Sequence, residues 1–273
     1  MITIGITTYN RLKILRAMAE SLYQSDISVP QNIKIYDDCS TEYGIDELKK
    51  LFPTAVSIKV NETNLKADEN TYMMYEDFLS SGDDWFFNAD SDLIFSKGWL
   101  ARAFELIERT NGILTLFNAN LHHTYKNIDS DLCLKKTIGC AGTLFKRERM
   151  EQLIRFINLS NNKKSLDWQF SRYFNELNVP IYCVKKSLVQ HIGYTGQNSR
   201  FFFDYGKNFT VETPSQGQMI NDILENYIDE IEKLESKRIN NATYHLKRFW
   251  VILLKKILPS KWYHSLRQKI KNK

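Results

Sequence analysis

Trp85-Phe86-Phe87-Asn88-Ala89-Asp90-Ser91-Asp92-Leu93-Ile94-Phe95 is an apolar, aromatic run that ends in two carboxylates one residue apart, after which apolar residues resume. A short run of this kind, bounded by Gly82-Asp83-Asp84, reads as a strand buried on both faces in an α/β sheet. Ligands of open α/β sheets gather at the carboxyl ends of strands, which is where Asp90 and Asp92 fall. Two acids so close repel each other unless a cation sits between them. A hard divalent ion answers this, because Mg²⁺ takes one or two protein carboxylates and fills its shell from bound phosphates. Asp-x-Asp also occurs in ordinary surface loops, so the strand end and the flanking motifs have to carry the reading.

The 273 residues suffice for one large domain, or one with an appendage. With 43% hydrophobic and 25% charged residues, the composition is that of a globular protein. The chain opens directly into Ile2-Thr3-Ile4-Gly5-Ile6, so neither an ordinary signal peptide nor an N-terminal anchor is expected. No apolar run reaches the length of a spanning helix. Cys39, Cys133, Cys140 and Cys183 lie far apart without metal-finger spacing, which predicts reduced, mostly buried thiols in a cytosolic protein. The net charge of +5 is unevenly spread: Asn241–Lys273 holds nine Lys or Arg and no acid, so the rest of the chain carries −4.

Working outward along the chain, strands are expected at 2–8, 33–36, 56–60, 85–90, 113–117, 138–145, 180–184 and 188–193. Helices are expected at 11–23, 45–52, 68–79, 99–109, 147–157, 166–177 and 215–240. Residues 118–136 read as polar and irregular, and 194–214 as loop. Alternation at this spacing predicts βαβ units in a mixed, mostly parallel sheet flanked by helices. The expected boundary separates a domain of residues 1–214 from a C-terminal helical extension, 215–273.

Thr7-Thr8-Tyr9-Asn10-Arg11, then Asp37-Asp38-Cys39-Ser40-Thr41, then Asp90-Ser91-Asp92 follow one another in an order and spacing that resemble the family 2 glycosyltransferases of the GT-A fold. The likeness covers roughly residues 2 to 200. It implies a Rossmann-like GT-A domain, a nucleotide-sugar donor, and Mn²⁺ or Mg²⁺ held by the Asp-x-Asp pair. Thr7 and Tyr9 would line the base pocket. Asp38 would accept from the ring N–H of uracil, which favours a UDP-sugar; the other reading of Asp38 is a helix cap. Lys66 stands where many relatives place a basic residue near base or phosphate. Asp90 would hold the ribose or a metal-bound water, and Asp92 would ligate the metal. Asp167, opening a helix, stands where relatives carry the base that deprotonates the acceptor hydroxyl, with Glu176 as the fallback. Such a base contributes about 10²- to 10⁴-fold; the other reading of Asp167 is a helix cap. His191, in His-x-Gly at a strand end, would be a further metal ligand or simply a loop residue. Gln197-Asn198-Ser199-Arg200-Phe201 loosely matches a diphosphate-closing motif of processive relatives, with Arg200 meeting the diphosphate charge.

The implied reaction is in-line displacement at the anomeric carbon with inversion, moving a hexosyl group to a hydroxyl of a cell-surface glycan or lipid-linked acceptor. Residues 244–258 interleave Lys247, Arg248, Lys255 and Lys256 with Phe249, Trp250 and aliphatics, and 262–270 repeat the mixture. A basic amphipathic segment of this kind is expected at a membrane interface, which would place the protein at the inner face of the cell membrane as a cytoplasmic, peripheral protein. Packing of the tail on the body or on a second copy in a homodimer is the alternative; nucleic acid is not the expected partner. Two other functions compete: a sugar-phosphate nucleotidyltransferase, disfavoured because Thr8-Tyr9-Asn10-Arg11 has no glycine, and a non-catalytic glycan-binding or scaffold protein of the same fold.

Overall fold

The computed structural model describes residues 1–25, 29–119, 124–193 and 205–239. In chain order the elements are β1 (Ile2–Thr8), α1 (Leu12–Gln24), β2 (Gln31–Asp37), α2 (Ile45–Leu51), β3 (Ala55–Val60), α3 (Lys66–Leu79) and β4 (Trp85–Asp90). They continue with β5 (Leu93–Phe95), α4 (Trp99–Ile107), β6 (Ile113–Thr115), β7 (Thr124–Asn127), β8 (Leu132–Lys135) and β9 (Thr143–Lys146). Then come α5 (Arg147–Ser160), α6 (Leu166–Glu176), β10 (Ile181–Val184), β11 (Val189–His191) and α7 (Pro214–Ile239). The chain divides into two compact units, Met1–Asn221 and Asp222–Lys273, and the sheet lies in the first.

A nine-stranded sheet runs in the order β3-β2-β1-β4-β9-β6-β10-β8-β7. The run β3-β2-β1-β4 is wholly parallel. β9 lies antiparallel between β4 and β6, and β8 antiparallel between β10 and β7, so most strands share one direction. This is the mixed, mostly parallel sheet that the alternation of strands and helices predicts. β1 has β2 on one side and β4 on the other. That is a switch point, where neighbouring connections leave in opposite directions and open a crevice at the strand ends.

Alternation along the strands explains why each reads as continuously apolar. Ile4, Ile6, Ile33, Ile35 and Phe87 pack in one core with Leu15, Met18 and Leu22 of α1 and Trp99, Leu100 and Ala103 of α4. Phe86, Phe145 and Ile113 point the other way, into a second core with Tyr75 and Phe78 of α3, Met150 and Leu153 of α5, and Phe170 and Phe174 of α6. Gly5 makes the second face possible: a Cβ there would stand 2.6 Å from Met74 Sδ and 2.8 Å from the Phe86 ring.

Two local expectations fail. Residues 118–136 are not irregular throughout but contain β7 and β8. β7 is polar because its side chains are largely exposed at the sheet edge, so it lacks the apolar alternation that marks a strand. The strand expected over 138–145 begins only at Thr143. Gly142, at φ +71°, turns the chain just before it, a backbone position that glycine adopts without steric cost. Among the described residues no helix is long and apolar enough to cross a membrane. Cys133, Cys140 and Cys183 are buried free thiols, and Cys39 is half-buried.

Candidate active site

The parallel register puts the carboxyl ends of three strands side by side. Thr7 pairs with Asp90 across β1 and β4, and Thr8 with Asp37 across β1 and β2. Two successive left-handed residues, Asn10 (φ 50°) and Arg11 (φ 58°), then turn the chain into α1. The Asn10 side-chain oxygen accepts from the backbone N–H groups of Thr41 (2.8 Å) and Glu42 (3.2 Å), tying this turn to the loop after β2. The turn sends Arg11 back over the crevice, where Nη1 meets Asp92 Oδ2 at 2.9 Å and Nη2 donates to Ser91 Oγ at 3.2 Å.

Asp92 sits between β4 and β5, and β11 pairs antiparallel with β5 so that His191 lies opposite Leu93. The Ile192 N–H donates to the Asp92 carbonyl at 2.7 Å, which locks the two segments together. One ligand atom each from Asp90, Asp92 and His191 lies within 4.8 Å of the others. His191 Nε2 is 3.1 Å from Asp92 Oδ1. The contact has the distance of an ion pair without the direction of a hydrogen bond, so Oδ1 is buried without a hydrogen-bond partner. Gly193 closes the site from below: a Cβ there would overlap the Asp92 carboxylate.

The charges are arranged as crowding dictates. Burial first, then the Asp92 charge and that of Asp167, against the opposing pull of His191 and Arg11, leave the Asp90 carboxyl raised to about 7. Burial also pushes Asp92 upward, but His191 and Arg11 more than offset it and hold that carboxyl well below the usual range. Burial lowers the His191 imidazole, yet the two carboxylates leave it raised overall. One carboxyl of the pair therefore favours its proton while the other stays ionised. A dication replacing that proton would meet Asp92 Oδ1, a second carboxylate and the imidazole now paired with Oδ1, a donor set suited to Mn²⁺. The residues present fit a divalent metal.

Asp38 is buried, and its carboxylate already serves the loop after β3. Oδ1 accepts from Leu65 N (2.7 Å) and Asn61 Nδ2 (3.0 Å), and Oδ2 from Lys66 N (2.9 Å). Three of about four acceptor positions are thus engaged, leaving one on Oδ2 for a ligand. Lys66 is exposed at the start of α3 in a left-handed conformation (φ 71°). Thr7 and Tyr9 are half-buried at the exit of β1.

Asp167 opens α6, whose first N–H groups are capped from α3: Asp68 accepts from Ser165 N at 2.8 Å and Leu166 N at 3.2 Å. With another residue capping the helix, Asp167 is free to turn inward, and its Oδ1 accepts from Cys140 N at 2.9 Å. Asp167 is exposed as a residue, yet protein atoms crowd its carboxyl. Burial raises its pKa, opposed by hydrogen bonds from Cys140 and by the Lys135 charge, and reinforced by Asp68. Its charge also helps raise the Asp90 carboxyl. Glu176 stands at the far end of α6, exposed and 3.6 Å from Arg172, a helix length from Asp167. Arg200 and residues 240–273 lie outside the described residues. Arg11 and Gly193 are the contributors without an assigned role in the sequence reading. Arg11 was visible as the last residue of Thr-Thr-Tyr-Asn-Arg, but only folding shows what it touches.

Residues 3–127, just under half of the chain, match the model of the family described as Glycosyl transferase family 2. The match holds Thr7, Arg11, Asp38, Asp90 and Asp92. No curated protein matches the chain. Among solved structures, S. aureus TarS 1-349 superposes with a TM-score of 0.50 at 13% identity, covering 82% of this chain and 70% of that one. The same protein in complex with UDP-GlcNAc gives a TM-score of 0.50 at 14% identity, covering 79% of this chain and 60% of that one. Fold and site together define the class, a GT-A fold of glycosyltransferase type. Within it, the chain resembles glycosyltransferase family 2.

Proposed function

We propose that this protein transfers a hexosyl group from a nucleotide-diphosphate donor, a UDP-sugar, to a hydroxyl of a glycan or lipid-linked acceptor, with inversion. The observation that carries this is the convergence of Asp90, Asp92 and His191 on one point, with Asp92 Oδ1 buried and accepting no hydrogen bond. Asp92 would hold Mn²⁺ or Mg²⁺ through Oδ1 while Arg11 keeps Oδ2; Asp90 and His191 would complete the protein's share. A bound divalent cation supplies positive charge against a departing diphosphate.

The donor's nucleoside belongs at the joined ends of β1 and β2, where Thr7, Tyr9 and the remaining acceptor position of Asp38 face the crevice. Lys66, at the edge of this region, and Arg200 are assigned to phosphate charge by the family resemblance. Asp167 takes the proton of the acceptor hydroxyl as its oxygen bonds to the anomeric carbon and the bond to the diphosphate breaks. A carboxyl with raised proton affinity is the better base for this step. A protein of the same fold binds UDP-GlcNAc, which agrees with a uridine donor.

Calorimetry tests the core of this reading. UDP should bind in Mn²⁺ at least tenfold more tightly than in chelator, and Asp92→Asn should abolish that difference. Equal affinity with and without the ion would sink the metal-dependent reading. The basic tail, Asn241–Lys273, is assigned to the inner membrane surface, each cation near an anionic surface contributing about 1 kcal/mol. Cosedimentation with vesicles containing phosphatidylserine, and none with neutral vesicles, is the expected result; binding of neither, together with a dimer in solution, assigns the tail to a second copy.

A further inference from the structure

Lys135, at the end of β8, is 3% exposed. Burial penalises an ammonium heavily unless acceptors or anions surround it. Its Nζ donates to the Phe117 carbonyl at 3.4 Å, a long contact for a charged donor. Among the described residues no carboxylate comes within ion-pair distance of it.

The surroundings are polar and incompletely matched. Cys133, two residues earlier on the same face, pairs in register with Cys183, and Cys183 with Thr115 of β6. Asn118 Oδ1 is buried without a hydrogen-bond partner, and the buried Thr115 Oγ1 faces the Cys183 thiol, without the geometry of a hydrogen bond. The Lys135 charge acts on both thiols and on Asp167. The Lys135 ammonium thus meets the carbonyl of Phe117, next to Asn118, and the preceding Leu116 donates to Gly142 O in the loop whose Cys140 N–H binds the candidate base Asp167. Lys135, Thr115 and Asn118 are not used by the donor half of the site.

We propose that Lys135, with Thr115 on the same face of the sheet, binds an oxyanion carried by the acceptor, a phosphate or carboxylate attached close to the hydroxyl that Asp167 deprotonates. An ammonium and a hydroxyl supply the donors an oxyanion needs, and Asn118 Oδ1 can take a neighbouring sugar hydroxyl. This rests on the transferase reading above for the identity of the ligand, but the anion site itself does not.

Ligand-observed NMR with glycerol 3-phosphate, glycerate and glycerol tests it, each titrated into full-length protein with UDP and Mn²⁺ at saturation. Both anions should bind at least tenfold more tightly than glycerol. Lys135→Met should weaken both at least tenfold, Lys135→Arg should restore most of the affinity, and Thr115→Val should weaken both a few-fold. Asp92→Asn should lose UDP affinity and keep the anions. Should Lys135→Met not fold, Lys135→Gln and Thr115→Val carry the same comparison. The proposal is overturned if the lysine variants bind the anions as the wild type does. It is equally overturned if the wild type binds none, as expected were Lys135 only balancing the Cys183 thiol. Anion binding seen only without UDP overturns the acceptor assignment, because the site then belongs to the donor diphosphate. Failure of UDP to respond to Mn²⁺ with anion binding intact removes the metal-dependent reading and leaves the anion site standing.

Discussion

Arg11 reaches Asp92 because two left-handed residues reverse the chain just after β1, and Gly193 lets β11 close on the same carboxylate because it has no side chain. Gly193→Ala should therefore cost at least tenfold in Mn²⁺-dependent UDP affinity, read by calorimetry, while the melting temperature shifts by only a degree or two. A large loss of stability with unchanged binding would contradict this. Asp90 makes a separate prediction. Its pKa, raised to about 7 in the fold, exceeds the unfolded value of about 3.9. The folded state then binds more protons than the unfolded one between those values, so Asp90 lowers metal-free stability as pH rises from about 4 to about 7. Asp90→Asn should leave stability in chelator unchanged near pH 4 and raise it at pH 8, measured by urea unfolding. No gain at pH 8 would mean that the two carboxyls are not electrostatically crowded.

At the scale of elements, the parallel run β3-β2-β1-β4 is held from above by α3, and Asp77 is the polar joint. Tyr36 of β2 donates to it at 2.5 Å, Lys59 of β3 at 2.5 Å and Lys34 of β2 at 3.4 Å. Burial pushes the Asp77 carboxyl up, but hydrogen bonds from Lys59 and Tyr36 and the charges of both lysines lower it overall. A depressed folded pKa contributes stability that is present above the unfolded pKa and lost as pH falls through the folded one. Asp77→Asn should cost about 1–3 kcal/mol at pH 7, with the two proteins converging in acid. Convergence absent in acid would assign the loss to packing. Elements were largely legible in the chain, since β1, β2, α2, β4 and α6 stand within two residues of where apolar periodicity puts them. β7 and β8 were not. β7, an edge strand with polar, exposed side chains, has no periodic apolar signal, and β8 is a buried run of only four residues ending in a lysine, too short to show a period.

For the molecule as a whole, binding to the folded state alone raises stability by mass action, about 2.7 kcal/mol at a hundredfold excess over Kd. For a unit of this size that corresponds to roughly 5–10 °C in melting temperature. UDP with Mn²⁺ should produce such a rise, and UDP with chelator should produce less than half of it; identical shifts would point to a nucleotide site without a metal. The candidate site was legible in part on this scale. Asp90, Asp92 and Asp167 could be picked out because carboxylates at a strand end and a helix start are conspicuous against apolar runs. Lys135 could not, because a lysine at the end of a short strand looks solvent-exposed until the surrounding segments bury it.

Local order along the chain settles which residues form strands and helices and that acids close the fourth strand, since periodicity and side-chain chemistry are properties of neighbours in sequence. Which of those acids share a point, that Arg11 takes one oxygen of Asp92 and leaves the other, and that a histidine ninety-nine residues later completes the group, is decided by folding. Those facts depend on distances between segments remote in sequence, and only sheet register and packing fix such distances.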